Sequence, residues 1–178
     1  MGRDKALLPD AQHGNLLQRQ LTLLAAIEPA EMLVSCRAGQ ELPSLPSAVK
    51  LVFDTGADGP LGGVAALLEQ ASGDRLLVIA VDLGALTQDF LRALVAKATA
   101  TSGIVPRSRR GLEPLAAIYP TRLAASARSR LARGGDLSLQ GFLQHALDDG
   151  TMRAWDVPDD AEGVLANWNT PEDVPGRA

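Results

Sequence analysis

Short, continuously apolar runs alternate with stretches of helical spacing along most of this chain, and that alternation restricts the fold more than any other feature. The runs are Met32 to Cys36, Val49 to Phe53, Leu76 to Val81, Gly103 to Pro106 and Leu115 to Tyr119. Each is too short for a buried helix, so they read as strands covered on both faces. Between them, Leu17, Leu21, Leu24 and Ile27 recur three and four apart within Asn15 to Ile27. Phe90, Leu91, Leu94, Val95 and Ala98 make a second helical face behind Thr87 as N-cap. Leu139, Phe142, Leu143, Ala146 and Leu147 make a third, between Asp136 as candidate cap and Gly150 as C′ stop. Doubly covered strands separated by helices imply an α/β fold: three layers, αβα, around a mostly parallel sheet with right-handed crossovers. The chain of 178 residues fits one domain, residues 1–178, without repeats or a linker, and its tail from Pro175 to Ala178 reads as frayed.

Composition narrows the function classes. Aromatics are only 3%, so the core must come from Leu, Val, Ile and Ala. A net charge of -4 argues against a nucleic-acid partner, which would need a basic face. The run Arg107, Arg109, Arg110 is the local exception. Cys36 is the sole cysteine, which rules out a disulfide framework and a thiolate metal site and makes it a small core residue. No apolar run approaches the roughly 18 residues that span a bilayer. Met1-Gly2-Arg3-Asp4-Lys5 lacks the apolar segment of a secretory signal. A soluble, cytoplasmic protein with no membrane partner is expected.

In open α/β sheets ligands bind beyond the carboxyl ends of the strands. Two strands run into aspartates at that edge, Phe53 into Asp54 and Val81 into Asp82. Each aspartate alone is equally a turn cap. Two on one edge favour Mg²⁺ or ligand binding. Gly59-Pro60-Leu61-Gly62-Gly63 opens a helix that ends near Gln70. Glycines there let backbone N–H groups approach an anion, although Gly-Pro is also ordinary turn punctuation. Lys5 by itself reads as a solvated lysine. His13 and His145 have no partners at metal spacing, and Trp155 and Trp168 are too isolated for a stacking platform. No Walker-type phosphate loop or nucleophile elbow is present. In Asn167-Trp168-Asn169-Thr170-Pro171-Glu172-Asp173, Thr170 reads as an N-cap, Pro171 as the first helical residue, and Asp173 as the returning member of a capping box.

In order and spacing, Met1-Gly-Arg-Asp-Lys5, Phe53-Asp54, Gly59-Pro-Leu-Gly-Gly63, Val81-Asp82, Glu113-Pro-Leu115 and Asn167-Trp-Asn-Thr-Pro171 resemble the molybdenum cofactor guanylyltransferase family across almost the entire chain. The resemblance implies a nucleotidyltransferase of the nucleotide-diphospho-sugar transferase fold, transferring GMP from GTP to molybdopterin with Mg²⁺ and releasing pyrophosphate. It implies that Lys5 and Asp82 are catalytic. Lys5 would bind GTP phosphate, Asp54 the nucleotide, and Gly59, Pro60 and Leu61 the guanine and ribose; Asp82 would hold Mg²⁺ and GTP. Ser35 to Arg37 matches a nucleotide-contacting segment loosely, and Arg107 to Arg110 is either a solvated loop or a seat for the pterin phosphate. Protein partners implied are molybdoenzymes or cofactor-insertion proteins. A cytidylyltransferase or sugar-nucleotide enzyme of the same fold, and a nucleotide-binding remnant without activity, stay open.

The chain also departs from the family pattern. The family starts with a strand and a loop of the type Leu-x-Gly-Gly-x-Ser-x-Arg-Met-Gly, and Met1 coincides with the Met of that loop. The resemblance therefore implies an N-terminally truncated domain that lacks a central strand, whose neighbours would stand about 9.5 Å apart, twice the interstrand spacing. Leu83 also stands where the family often has Pro after the aspartate.

Overall fold

In the computed structural model, which describes residues 5–54 and 59–173, the chain begins with a 3-10 turn (Lys5–Leu7). A minimal hairpin follows, β1 (Pro9–Asp10) and β2 (Gly14–Asn15), and leads into α1 (Leu16–Ala25). Next come β3 (Met32–Arg37), β4 (Val49–Asp54), α2 (Gly59–Gln70), β5 (Arg75–Ile79) and α3 (Gln88–Lys97). The second half contains β6 (Gly103–Ser108), β7 (Gly111–Leu112), β8 (Ala116–Pro120), α4 (Ala124–Arg133), α5 (Leu139–Asp148) and β9 (Met152–Asp156). Residues 1–4 of the amino-terminal motif and the tail read as frayed lie outside the described residues.

Helix boundaries follow from capping. The Asn15 side chain accepts from the Gln18 N–H at 2.9 Å and starts α1. Thr87 caps α3 as its position indicates, accepting from the Phe90 N–H at 3.3 Å. For α5 the expected cap, Asp136, is corrected. Ser138 accepts from the Gly141 N–H at 3.0 Å, while Asp136 sits two residues outside and accepts from the Ser138 N–H at 2.9 Å. Gly150, at φ 75°, ends the helix as expected.

The three-layer α/β arrangement is the expected one. Along β5, Leu77 and Ile79 pack on one face with Leu24 of α1, Ile27 just after it, and Phe90 and Leu91 of α3. Val78 points the other way, into a core built from Leu61 and Val64 of α2, Ala127 of α4, and Phe142 and Leu143 of α5. The strands form a parallel β3–β4 pair and a five-stranded sheet in the order β5-β8-β6-β7, with β9 also on β6. β9 is parallel to β6, whereas β8 is antiparallel to both β5 and β6. Continuously apolar runs do not encode that direction.

The strand read as Leu76 to Val81 stops at Ile79. Ala80 turns its N–H to the Leu115 carbonyl at 2.8 Å, and a turn from Ala80 to Leu83 carries the chain off the ladder. Asp82 therefore lies on a turn beyond the strand. Glu31, just before β3, accepts from the Ser72 N–H at 2.6 Å just before β5, so the amino ends of β3 and β5 share one edge of the molecule. Among the described residues, no helix is long and apolar enough to cross a membrane.

Candidate functional site

The site begins with how Lys5 is presented. Leu8 closes the first turn by donating its N–H to the Lys5 carbonyl at 3.1 Å, and buried Ala6 anchors it. The Lys5 ammonium then reaches two oxygens, Asp82 Oδ2 and Asn169 Oδ1, each at 2.6 Å. Asp82 is fixed from behind by its own carbonyl, which accepts from the Trp168 N–H at 2.7 Å. Three segments distant in sequence thus converge on one ammonium.

Trp168 sets the position of the third segment. It is 8% exposed and packs with Leu8, Leu16, Val81 and Ala85. Gly84 lies under its ring, where any Cβ would collide. The Arg19 guanidinium stands 5.0 Å from the ring centroid, and its Nε donates to the Gly84 carbonyl at 2.8 Å. On the other side, Asp173 Oδ2 accepts from the backbone N–H groups of Asn169 and Thr170, both at 2.8 Å. The capping reading of Thr170 and Asp173 therefore holds in that half, on a short 3-10 turn (Pro171–Asp173).

A second cluster forms where β3 and β4 end. Ser35 Oγ donates to Asp54 Oδ2 at 2.7 Å. Asp54 Oδ1 is buried and has no hydrogen-bond partner among the described residues. Gly63 of α2 comes close enough that a Cβ would lie 3.1 Å from Ser35 Oγ and 3.3 Å from Asp54 Oδ2. Gly59, at φ 60°, begins α2 one turn before Gly63, so the approach of Gly63 to Asp54 brings the amino-terminal turns of the helix, with exposed Gly59 and Pro60, to the side of this carboxylate. Cys36 is buried as expected; burial pushes its thiol up, and the Asp54 charge adds to that.

Of the sequence-derived residues, Lys5 and Asp82 touch each other, while Asp54, Gly59 and Pro60 share the second cluster. Leu61, expected beside the guanine and ribose, is a core residue of α2. It is fully buried, its side chain packed with Val64, Val78 and Phe142. The basic run is neutralised: Arg107 pairs with Asp156, Arg109 with Asp159 and Glu162, and Arg110 with Glu113. His13 bonds Asp10 at 2.8 Å and His145 is an exposed helix residue. Sequence reasoning missed Asn169 as a member of the site. Its signal was the second asparagine of Asn167-Trp168-Asn169, which helix capping left unexplained.

Acidic groups at the carboxyl edge of a three-layer α/β sheet, next to a helix amino end and a lysine, are an arrangement suited to binding an anionic ligand. Residues 1–149 match the model of the MobA-like NTP transferase domain. A protein of Opitutus terrae described as "Probable molybdenum cofactor guanylyltransferase" is 36% identical over 97% of this chain and 86% of its own length. The molybdopterin-guanine dinucleotide biosynthesis protein A of Archaeoglobus fulgidus superposes with a TM-score of 0.70 at 20% identity, covering 97% of this chain and 87% of that one. The 2-C-methyl-D-erythritol 4-phosphate cytidylyltransferase of Thermus thermophilus gives 0.71 at 19% identity, over 97% and 91%. This chain belongs to the MobA-like NTP transferase family, a family of nucleotidyltransferases.

Proposed function

We propose that this chain binds GTP with Mg²⁺ and transfers GMP to the terminal phosphate of molybdopterin. A phosphate oxygen of molybdopterin forms the new bond to the GTP α-phosphorus, the bond to the β-phosphate breaks, and pyrophosphate leaves. The observation that carries the proposal is Lys5 held between Asp82 and Asn169 at 2.6 Å from each, at the edge where ligands of such sheets bind. The likeness to relatives named as guanylyltransferases supports the choice of nucleotide and acceptor.

Little covalent work falls to the protein in this chemistry; it positions two anions and neutralises growing charge. The Lys5 ammonium does the latter by moving from Asp82 and Asn169 onto a phosphate oxygen. Asp54 Oδ1, a buried acceptor without a donor among the described residues, takes an N–H of the nucleotide. The amino end of α2 at Gly59 and Pro60 faces the ligand with backbone and dipole. Asp82 and Asn169 offer hard oxygens of the type Mg²⁺ takes, and one or two such protein ligands suffice when substrate phosphates supply the rest. Bound there, Mg²⁺ would neutralise phosphate charge.

The test is pyrophosphate release by the purified chain with molybdopterin and Mg²⁺, comparing GTP with CTP. Release with GTP and little with CTP is expected. Preference for CTP would assign the chain to a cytidylyl reaction instead, and no release with either would favour a nucleotide-binding remnant.

A further inference from the structure

The turn that carries Asp82 is held from outside at each carbonyl from Val81 to Gly84. Gln20 of α1, 3% exposed, donates Nε2 to the Leu83 carbonyl at 2.8 Å and more weakly to the Val81 carbonyl at 3.4 Å. The Asp82 carbonyl accepts from the Trp168 N–H at 2.7 Å, and the Gly84 carbonyl from Arg19 Nε at 2.8 Å. Arg19 also lays its guanidinium over the Trp168 ring. One side chain of α1 thus touches both the turn that carries Asp82 and the segment that carries Asn169.

Arg19 is aimed by a carboxylate. Asp10 Oδ2 lies 3.6 Å from Arg19 Nη1, and the Asp10 side chain is only 5% exposed. Its other oxygen accepts from the Gln12 N–H at 2.9 Å and the His13 N–H at 2.7 Å. A charge buried so far needs partners, and the turn of the β1–β2 hairpin and the guanidinium supply them. Three contacts leave Arg19 in different directions: Nε reaches a carbonyl, Nη1 faces a carboxylate, and the flat face covers an indole. An ammonium is a point charge on a flexible stem and cannot serve all three at once. None of these partners is a side-chain oxygen that holds Lys5, so Arg19 acts on Asp82 and Asn169 through the backbone and the ring that carry them.

We propose that Arg19, oriented by Asp10, is a positioning residue for nucleotide transfer. It clamps the Asp82 turn to the Trp168 segment and so sets the spacing at which Asp82 and Asn169 meet Mg²⁺ and phosphate. This role rests on the reaction proposed above.

The experiment uses Arg19→Lys, which keeps a charge opposite Asp10 and removes the planar fork. Urea unfolding, GTP binding as a function of Mg²⁺, and hydrogen exchange at the Trp168 N–H are measured on the same protein. The urea midpoint is expected to stay close to that of the wild type, while half-saturating Mg²⁺ rises about tenfold. Exchange at the Trp168 N–H is expected to speed up about tenfold, with the Phe142 N–H, bonded to the Ser138 carbonyl in α5, unchanged as the control for folding. Asp10→Asn is expected to move both readouts the same way by a smaller factor, and carries the test if lysine destabilises the chain. Added to Asp82→Asn, Arg19→Lys is expected to weaken GTP binding little further, because both act through one ligand, whereas a merely structural loss would add in full. Unchanged exchange at Trp168, an unchanged Mg²⁺ requirement or full additivity overturns the proposal. So does a fall in the urea midpoint of both variants large enough to account for the weaker binding. A wild-type chain that binds no GTP overturns the proposed reaction and the purpose of the clamp with it. Exchange at Trp168 needs no nucleotide, so it tells that failure from a failure of the clamp itself.

Discussion

Lys5 Nζ lies 2.6 Å from Asp82 Oδ2 across 77 positions of sequence, tying the first described turn to the loop that follows β5. The lysine side chain is 43% exposed, so the pair contributes at most about 1 kcal/mol to stability. Its consequence is positional: it holds an ammonium between a carboxylate and an amide oxygen at the sheet edge.

Lys5→Met is therefore expected to leave the denaturant midpoint nearly unchanged while nucleotide transfer falls by roughly 10²-fold, the usual scale for losing a group that stabilises transition-state charge. Urea unfolding and turnover measured on the same preparation check this. Asp82→Ala is expected to abolish Mg²⁺-dependent transfer, and near-normal turnover would remove Asp82 from the site.

Leu61 and its neighbour Pro60 separate structure from binding. Leu61 is fully buried, so Leu61→Ala is expected to cost about 2–5 kcal/mol of stability. Pro60 is exposed, and Pro60→Ala is expected to change stability little while weakening nucleotide binding. Equilibrium unfolding and nucleotide titration of both variants tell the two roles apart.

Gly84→Ala tests the stack under Trp168. A Cβ there meets the indole directly, and relieving that overlap is expected to cost about 1–3 kcal/mol. Because Trp168 holds Asp82 by backbone and carries Asn169 beside it, nucleotide affinity is expected to fall as well. Tryptophan fluorescence of the folded variant reports the displaced ring.

Asp10 gives a pH dependence with a defined sign. Burial works to raise its carboxyl, but hydrogen bonds from the His13 ring and from the His13 and Gln12 backbone N–H groups hold it below the usual 3.8. A depressed folded value stabilises the native state above the unfolded one, and that contribution disappears as pH falls through the folded value. Stability is expected to decline below about pH 4, less steeply in Asp10→Asn. Part of the slope remains in that variant, because hydrogen bonds also lower Glu31, Asp149 and Asp173. Unfolding midpoints between about pH 2 and pH 6 measure the difference.

The layers of the fold were legible in the sequence because apolar runs and capping residues carry physical signals. Thr87 starts its helix where its side chain predicts, and Gly150 stops the last one. The misplaced α5 cap shows the limit: Asp136 and Ser138 are both good caps, and only the backbone path decides between them. α4 escaped notice because it buries just Ala127 among arginines and serines, giving little apolar periodicity. β9 was missed because Met152-Arg153-Ala154-Trp155-Asp156 becomes a strand only through its parallel pairing with β6. In the site, the aspartates were visible as strand-end carboxylates. Asn169 was not, because its role depends on Trp168 packing 84 positions away from Gly84 in a contact that no local pattern announces.

The most direct test of the account is Mg²⁺-dependent binding of GTP, with CTP as competitor, to the wild-type chain and to the Lys5→Met and Asp82→Asn variants. GTP binding that CTP displaces poorly, weakened about tenfold or more in both variants at unchanged stability, is the predicted result. Equal affinity for GTP and CTP, or variants that bind GTP as the wild type does, would contradict the assignment of Lys5 and Asp82 to a guanine-nucleotide site.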